Sequence, residues 1–189
     1  MFEEINDLIT KLSNDPFNPV LSTVIAHEYH KINQTASAVS FYLRTAEYGY
    51  YSHPEYVYSS LLRSSECFDG QTGRTNTVLN LILKAIAYQP ARPEAWFMLS
   101  RYYERNQKWQ EAYTAAEVGL LFADTELSTL PVSLPYLGKY VLNFEKAVSA
   151  WWVGRKDESL TLFKELLTQD ISPAYRASVE SNLAKLESE

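Results

Sequence analysis

The sequence predicts an all-α fold: about four helical hairpins stacked as a solenoid, with a short helix covering each end. Three observations predict it. Apolar and small residues recur at i, i+3, i+4 and i+7 along most of the chain, as in helices with one buried stripe. The stripe belongs to a longer pattern that repeats and tends to open at a proline. With only 6 Gly and 8 Pro in 189 residues, the chain lacks the tight turns that a sandwich or barrel needs.

The composition fits such an array. Apolar residues make up 46% and charged residues 21%, enough to bury a core and too little charge for a disordered chain. The net charge of −6 gives no basic footprint for nucleic acid. Cys67 is the single cysteine, which excludes an intrachain disulfide and a thiolate metal cluster. The start, MFEEIND, has neither the basic nor the apolar region of a signal peptide. No stretch approaches the roughly 18 apolar residues of a membrane span. A cytoplasmic protein is expected, and the sequon Asn33-Gln34-Thr35 is read as accidental.

The repeat is clearest over 93–124, which opens PEAWFMLSRYYERNQKWQEAYTAAEVGL. Counted from Pro93, it sets Trp96 at position 4, Leu99 at 7, Ser100 at 8, Tyr103 at 11, Trp109 at 17, Ala112 at 20, Ala116 at 24 and Gly119 at 27. Positions 4, 7, 8 and 11 are the buried stripe of a first helix. Small residues at 8 and 20 let a second, antiparallel helix come close, and large ones at 4, 11 and 17 fill the space around them. All eight positions match a tetratricopeptide unit.

The remaining elements are taken in chain order. Residues 2–13 place Ile5, Leu8, Ile9 and Leu12 on one face of a short helix. A first repeat, 19–50, has Ala26 at 8, Tyr29 at 11, Ala38 at 20 and Tyr42 at 24. A second, 54–90, runs through Val57, Leu61 and Ser64, then Val78, Ile82 and Ala85. It is five residues longer than each of the other three repeats, and the surplus is placed in the turn Asp69-Gly70-Gln71-Thr72-Gly73. The third repeat is 93–124. The stretch from Thr125 to Gly138, with Pro131 and Pro135, is long for an inter-repeat turn and is either a bent linker or a docked loop. A fourth repeat, 140–171, has Ala147 at 8, Gly154 at the turn, Ser159 at 20, Phe163 at 24 and Leu166 at 27. Residues 173–187 carry Tyr175, Val179, Leu183 and Leu186 and form a capping helix. The whole is read as a single domain.

The chain resembles, more specifically, the tetratricopeptide segments found with family-2-type glycosyltransferases of bacteria, tailed phages and large viruses. The stretches that carry the resemblance are QTASAVSFYLRTAE (34–47), RPEAWFMLSRYYER (92–105), FEKAVSAWWVGRKDES (144–159) and YRASVESNLAKL (175–186). The resemblance implies a right-handed superhelix with a concave inner face, and a role beside a sugar-transfer system. The catalytic module of those enzymes has no counterpart here, and no Asp-x-Asp occurs to clamp a metal and nucleotide sugar.

Residues with chemical potential have structural readings. His27 and His30 share a helix face and could hold a metal, but no third ligand is evident, and His-Glu-x-x-His would need one more residue between them. Cys67 has no activating motif and is read as a packed thiol. Gly70 and Gly73 lack the Gly-Lys-Ser/Thr of a phosphate loop. Glu3-Glu4 and Asp157-Glu158 are read as solvated helix ends. Tyr42, Trp96, Tyr103 and Trp109 occupy core positions, whereas adjacent Trp151 and Trp152 point about 100° apart. No metal, cofactor or catalytic residue is expected.

A partner site is expected on the concave groove. In tetratricopeptide repeats, positions 2, 5, 9, 12 and 13 of each first helix face inward. Here these give Thr23, His27, His30 and Lys31; Tyr58 and Leu62; Phe97, Arg101 and Arg105; Phe144, Val148 and Trp152. The aromatic and basic mixture suits an extended peptide bearing a carboxylate, which an arginine fork can grip bidentately. The expected function is a non-catalytic scaffold that holds a peptide or partner protein and is accessory to a glycosyltransferase. The alternative is a structural subunit of a larger assembly such as a phage virion, which would make the chain virion-associated. Neither reading involves nucleic acid or a membrane.

Overall fold

The computed structural model describes residues 2–186, so the end of the expected last helix, at 187, lies outside the described residues. Among those residues there are ten α-helices and no strand. They are α1 (Phe2–Asn14), α2 (Pro19–Lys31), α3 (Thr35–Tyr48), α4 (Pro54–Phe68), α5 (Thr75–Tyr88), α6 (Pro93–Arg105), α7 (Trp109–Phe122), α8 (Lys139–Trp152), α9 (Lys156–Leu167) and α10 (Pro173–Leu186). The pairs α2/α3, α4/α5, α6/α7 and α8/α9 pack as four hairpins. None of the described helices is long and apolar enough to cross a membrane.

Two compact lobes divide the chain. The N-terminal lobe holds the residues up to Pro90 together with Leu127–Leu134; the C-terminal lobe holds Ala91–Glu126 and the residues from Pro135 on.

Local chemistry sets the helix starts. Pro19, Pro54 and Pro93 occupy the first turn of α2, α4 and α6, where the missing N–H is not needed and the fixed φ suits a helix. The Asn18 side chain accepts from the Leu21 N–H at 2.9 Å, closing one of the free donors at the start of α2.

Three of the four turns within the hairpins share one geometry. Asn33 (φ 58°), Gln107 (φ 57°) and Gly154 (φ 85°) each adopt the left-handed conformation just past a helix end. In each, the next residue's N–H reaches back to the third-last helical carbonyl: Gln34 to Tyr29 and Lys108 to Tyr103 at 2.9 Å, Arg155 to Ala150 at 2.9 Å. A side chain at Gln107 makes this conformation costly. Gln107→Gly is expected to stabilise the C-terminal lobe by about 1 kcal/mol, read as a higher thermal midpoint; an unchanged or lowered midpoint would refute it. The α4–α5 turn holds the extra residues and uses two left-handed glycines, Gly70 and Gly73.

The hairpin seams run through small residues. Ala26, Ala38, Ala112 and Ala147 are fully buried. In the third repeat the Ser100 hydroxyl donates to the Ala112 carbonyl at 2.9 Å; in the fourth, Ser159 donates to the Ala147 carbonyl at 2.7 Å. The same two seam positions are therefore joined in both, with donor and acceptor exchanged. A buried hydroxyl of this kind is tolerated because its partner is a carbonyl on the facing helix.

Tyr42, Tyr58 and Leu62 are fully buried in the N-terminal lobe, as are Phe97 and Leu142 in the C-terminal lobe, where Tyr113 and Phe163 are nearly so. Tyr42 thus takes its expected core place. Trp96, Tyr103 and Trp109 are only partly buried, and Trp109 stacks on Trp152. At the ends, Ile5 and Leu12 of α1 and Val179 and Leu183 of α10 are buried.

The Thr125–Gly138 stretch is a docked loop. Ser128 donates to the Glu55 carboxylate at 2.6 Å, and Arg63 donates to the Ser133 carbonyl. Val132 between them is 4% exposed. Further on, the Tyr136 ring lies 5.8 Å from that of Phe97.

Candidate functional site

The site residues expected from the sequence fall into two groups, one in each lobe. In the N-terminal lobe, α2 presents His27, His30 and Lys31. Burial, then the Lys31 and Arg63 charges, holds the His27 imidazole below its ordinary pKa; burial and Arg63 do the same for His30. His30 stands edge-on to Tyr42, with Nδ1 3.8 Å from the Cys67 sulfur. The thiol is itself pushed up to about 11 by burial. Both groups are therefore neutral at pH 7, which suits packing rather than nucleophilic chemistry. Lys31 is paired with Glu28 at 2.6 Å. Among the described residues no group of three or more His, Cys, Asp or Glu could hold a metal ion.

Tyr58 is fully buried. Glu55, Tyr58 and Leu62 share one stripe of α4, spaced i, i+3 and i+7. The docked loop binds that helix at Glu55 and again at Arg63. Fully buried, Tyr58 offers no surface to a partner.

In the C-terminal lobe α6, α8 and α10 bring the remaining residues together. Phe97 is fully buried and carries the Arg101 guanidinium 5.7 Å above its ring. Arg101 is 47% exposed, and its Nε stands 3.9 Å from the Glu145 carboxylate. Arg105 is exposed, and its Nε–H donates to the Arg101 carbonyl at 3.3 Å. Phe144 faces inward, edge-on to Phe163 at 5.8 Å and to Tyr175 at 5.1 Å. Trp152 is 60% exposed and stacks on Trp109 at 5.0 Å. With Val148, Phe163, Asn182 and Leu186 it lines a cleft of about 310 Å³.

Glu145 was not foreseen. It is 4% exposed, its Oε2 is buried without a donor, and the Glu104 carboxyl can bond to it once one of the two is protonated. Burial, then Glu104, raises its pKa well above the ordinary value, against the pull of Arg101 and Arg105. While Glu145 keeps its proton, the pair offsets the two guanidinium charges only in part. The excess favours an anion at Arg101 and Arg105. The one available signal was a charged residue in the stripe of Val141, Leu142 and Ser149, at spacings that bury it.

A second network locks α7, α8 and α9. The Tyr113 hydroxyl lies 2.9 Å from Glu117 and from Glu158 and accepts from Arg155, while Lys146 bridges the two carboxylates at 3.2 and 2.9 Å. Burial raises the Glu158 pKa, but Lys146 and Tyr113 outweigh it and hold the group ionised below its ordinary value. Glu158, expected as a solvated helix end, is part of the packing.

No family model matches the chain, and no curated protein is similar to it. Solved structures are. MamA superposes with a TM-score of 0.66 at 15% identity, over 96% of this chain and 89% of MamA. YrrB, described as a TPR protein with an unusual peptide-binding site, gives 0.68 at 13%, over 96% and 82%. TTC0263, a thermophilic TPR protein of Thermus thermophilus, gives 0.57 at 13%, over 98% and 89%. Such likeness, with the hairpins and seams described above, makes the fold that of a tetratricopeptide-type helical-hairpin solenoid.

Proposed function

We propose that this chain is a non-catalytic scaffold that holds an extended segment of a partner protein, with an acidic side chain or terminal carboxylate of that segment on Arg101 and Arg105. The observation that carries the reading is the state of Arg101. Its guanidinium rests on buried Phe97, is aligned from behind by Glu145 and remains half open to solvent. Little side-chain entropy is then lost when it closes on a carboxylate. The cleft beside Trp152 offers an apolar subsite to the same segment. The resemblance noted in the sequence supplies the partner class, a glycosyltransferase to which the chain is accessory. The alternative, a subunit of a larger assembly, draws support from a different surface, a groove between α3 and α5.

The reading is tested with the full chain and its Arg101→Glu/Arg105→Glu variant as baits for proteins of the native host. Both residues are exposed, so the variant is expected to keep its helical content and thermal midpoint while losing at least about tenfold in partner affinity. A folded double variant that captures the same protein equally well would end the assignment.

A further inference from the structure

A groove on the second-helix side of the N-terminal lobe is left unused by this function. It lies between α3 and α5 with α4 as its floor and has a volume of about 470 Å³. Leu43 and Ala46 line one wall, Leu81 and Ala87 the other, with Val57 and Leu61 beneath. Tyr50 and Tyr88 close one end, where the Tyr88 hydroxyl donates to the Tyr50 carbonyl. Large apolar side chains stand exposed at it: Leu43 at 43% and, in the turn after α3 beside Tyr50, Tyr51 at 96%. A cluster of this kind on a folded surface marks a contact site.

The charges on the rim identify what covers it. Glu47 stands on the α3 wall and Lys84 on the α5 wall. Both are exposed, and neither has an ion-pair partner among the described residues. The surface is thus apolar in the middle, acidic on one edge and basic on the other.

We propose that a second copy of this chain covers the groove in a two-fold symmetric dimer. With the two-fold axis along the groove, α3 of each copy faces α5 of the other. Glu47 of one copy then meets Lys84 of its mate, and symmetry forms the same pair twice. Leu43 from both copies fills the space between. An axis across the groove would set Glu47 against Glu47 and is disfavoured. The apolar centre and charged rim match the usual anatomy of protein interfaces. Neither Arg101 nor Arg105 takes part, so this dimer and the partner site stand or fall separately.

Sedimentation equilibrium on the full chain tests it. The wild type is expected to show a concentration-dependent monomer–dimer equilibrium. Glu47→Lys and Lys84→Glu, each checked for intact helix content, are each expected to weaken it at least about tenfold, because each places two like-charge pairs across the interface. The Glu47→Lys/Lys84→Glu double variant restores opposite charges and is expected to regain dimerisation. An equimolar mixture of the two single variants does so as well, since in the mixed dimer both pairs are again opposite. A monomer at every concentration, a dimer indifferent to both reversals, or a loss that neither the double variant nor the mixture repairs would overturn the proposal.

Discussion

Replacing Phe97 by Ala is expected to cost about 3–5 kcal/mol of stability, the range for removing a fully buried aromatic ring. The ring supports three things at once: the α6 core position, the Tyr136 ring of the docked loop and the Arg101 guanidinium. Truncation leaves a cavity under all three. Chemical denaturation of Phe97→Ala beside Arg101→Glu/Arg105→Glu separates packing from binding. The first should unfold at much lower denaturant, and the second should stay close to wild type. A Phe97→Ala variant as stable as the parent, with only binding lost, would return Phe97 to the partner surface where its repeat position alone had placed it.

That contrast shows what the sequence could and could not reveal. The hairpins were legible because their determinants are local: prolines in the first helical turn, a stripe spaced for a helix, and small residues where two helices cross. Even the surplus of the second repeat was traceable, since Gly70 and Gly73 advertise a turn. Tyr58 and Phe97 were misplaced because both rings are fully buried, Phe97 against a residue from far along the chain, Tyr136 of the docked loop. A repeat register states which way a side chain points and is blind to a segment laid over it.

Phe144 shows a different failure. The frame of the fourth first-helix is right, since Ala147 and Ser159 meet at the seam as Ser100 and Ala112 do. Phe144 is partly buried all the same, because Phe163 of α9 and Tyr175 of the capping helix α10 pack against it. Arg101, Arg105 and Trp152 lie where the frame of their helices put them in the open.

The second large effect is a reversal of the usual pH dependence at Glu145. A surface carboxylate held by an arginine strengthens a fold as pH rises. Glu145 does the opposite, because it is buried on α8 beside the Glu104 carboxyl, with Arg101 and Arg105 on α6 too weak an offset and Tyr175 of α10 also close. Its folded-state pKa lies above the unfolded value of about 4.5. Its contribution is therefore complete below pH 4.5 and is lost as pH rises toward the folded pKa. Each pH unit over which the folded chain keeps a proton that the unfolded chain has released costs about 1.4 kcal/mol. Glu145→Gln has no such proton to lose and still offers a donor to Glu104. Its stability is expected to stay flat across this window and to exceed that of the wild type at neutral pH, as read from denaturant midpoints at successive pH values. The same titration reaches the partner site. Once Glu145 loses its proton, the two guanidinium groups are offset more fully, so affinity for an acidic segment should fall with rising pH in the wild type and remain level in Glu145→Gln. Parallel stability profiles for the two proteins would show that Glu145 is ionised and satisfied in the fold, and the charge excess argued for Arg101 and Arg105 would go with it.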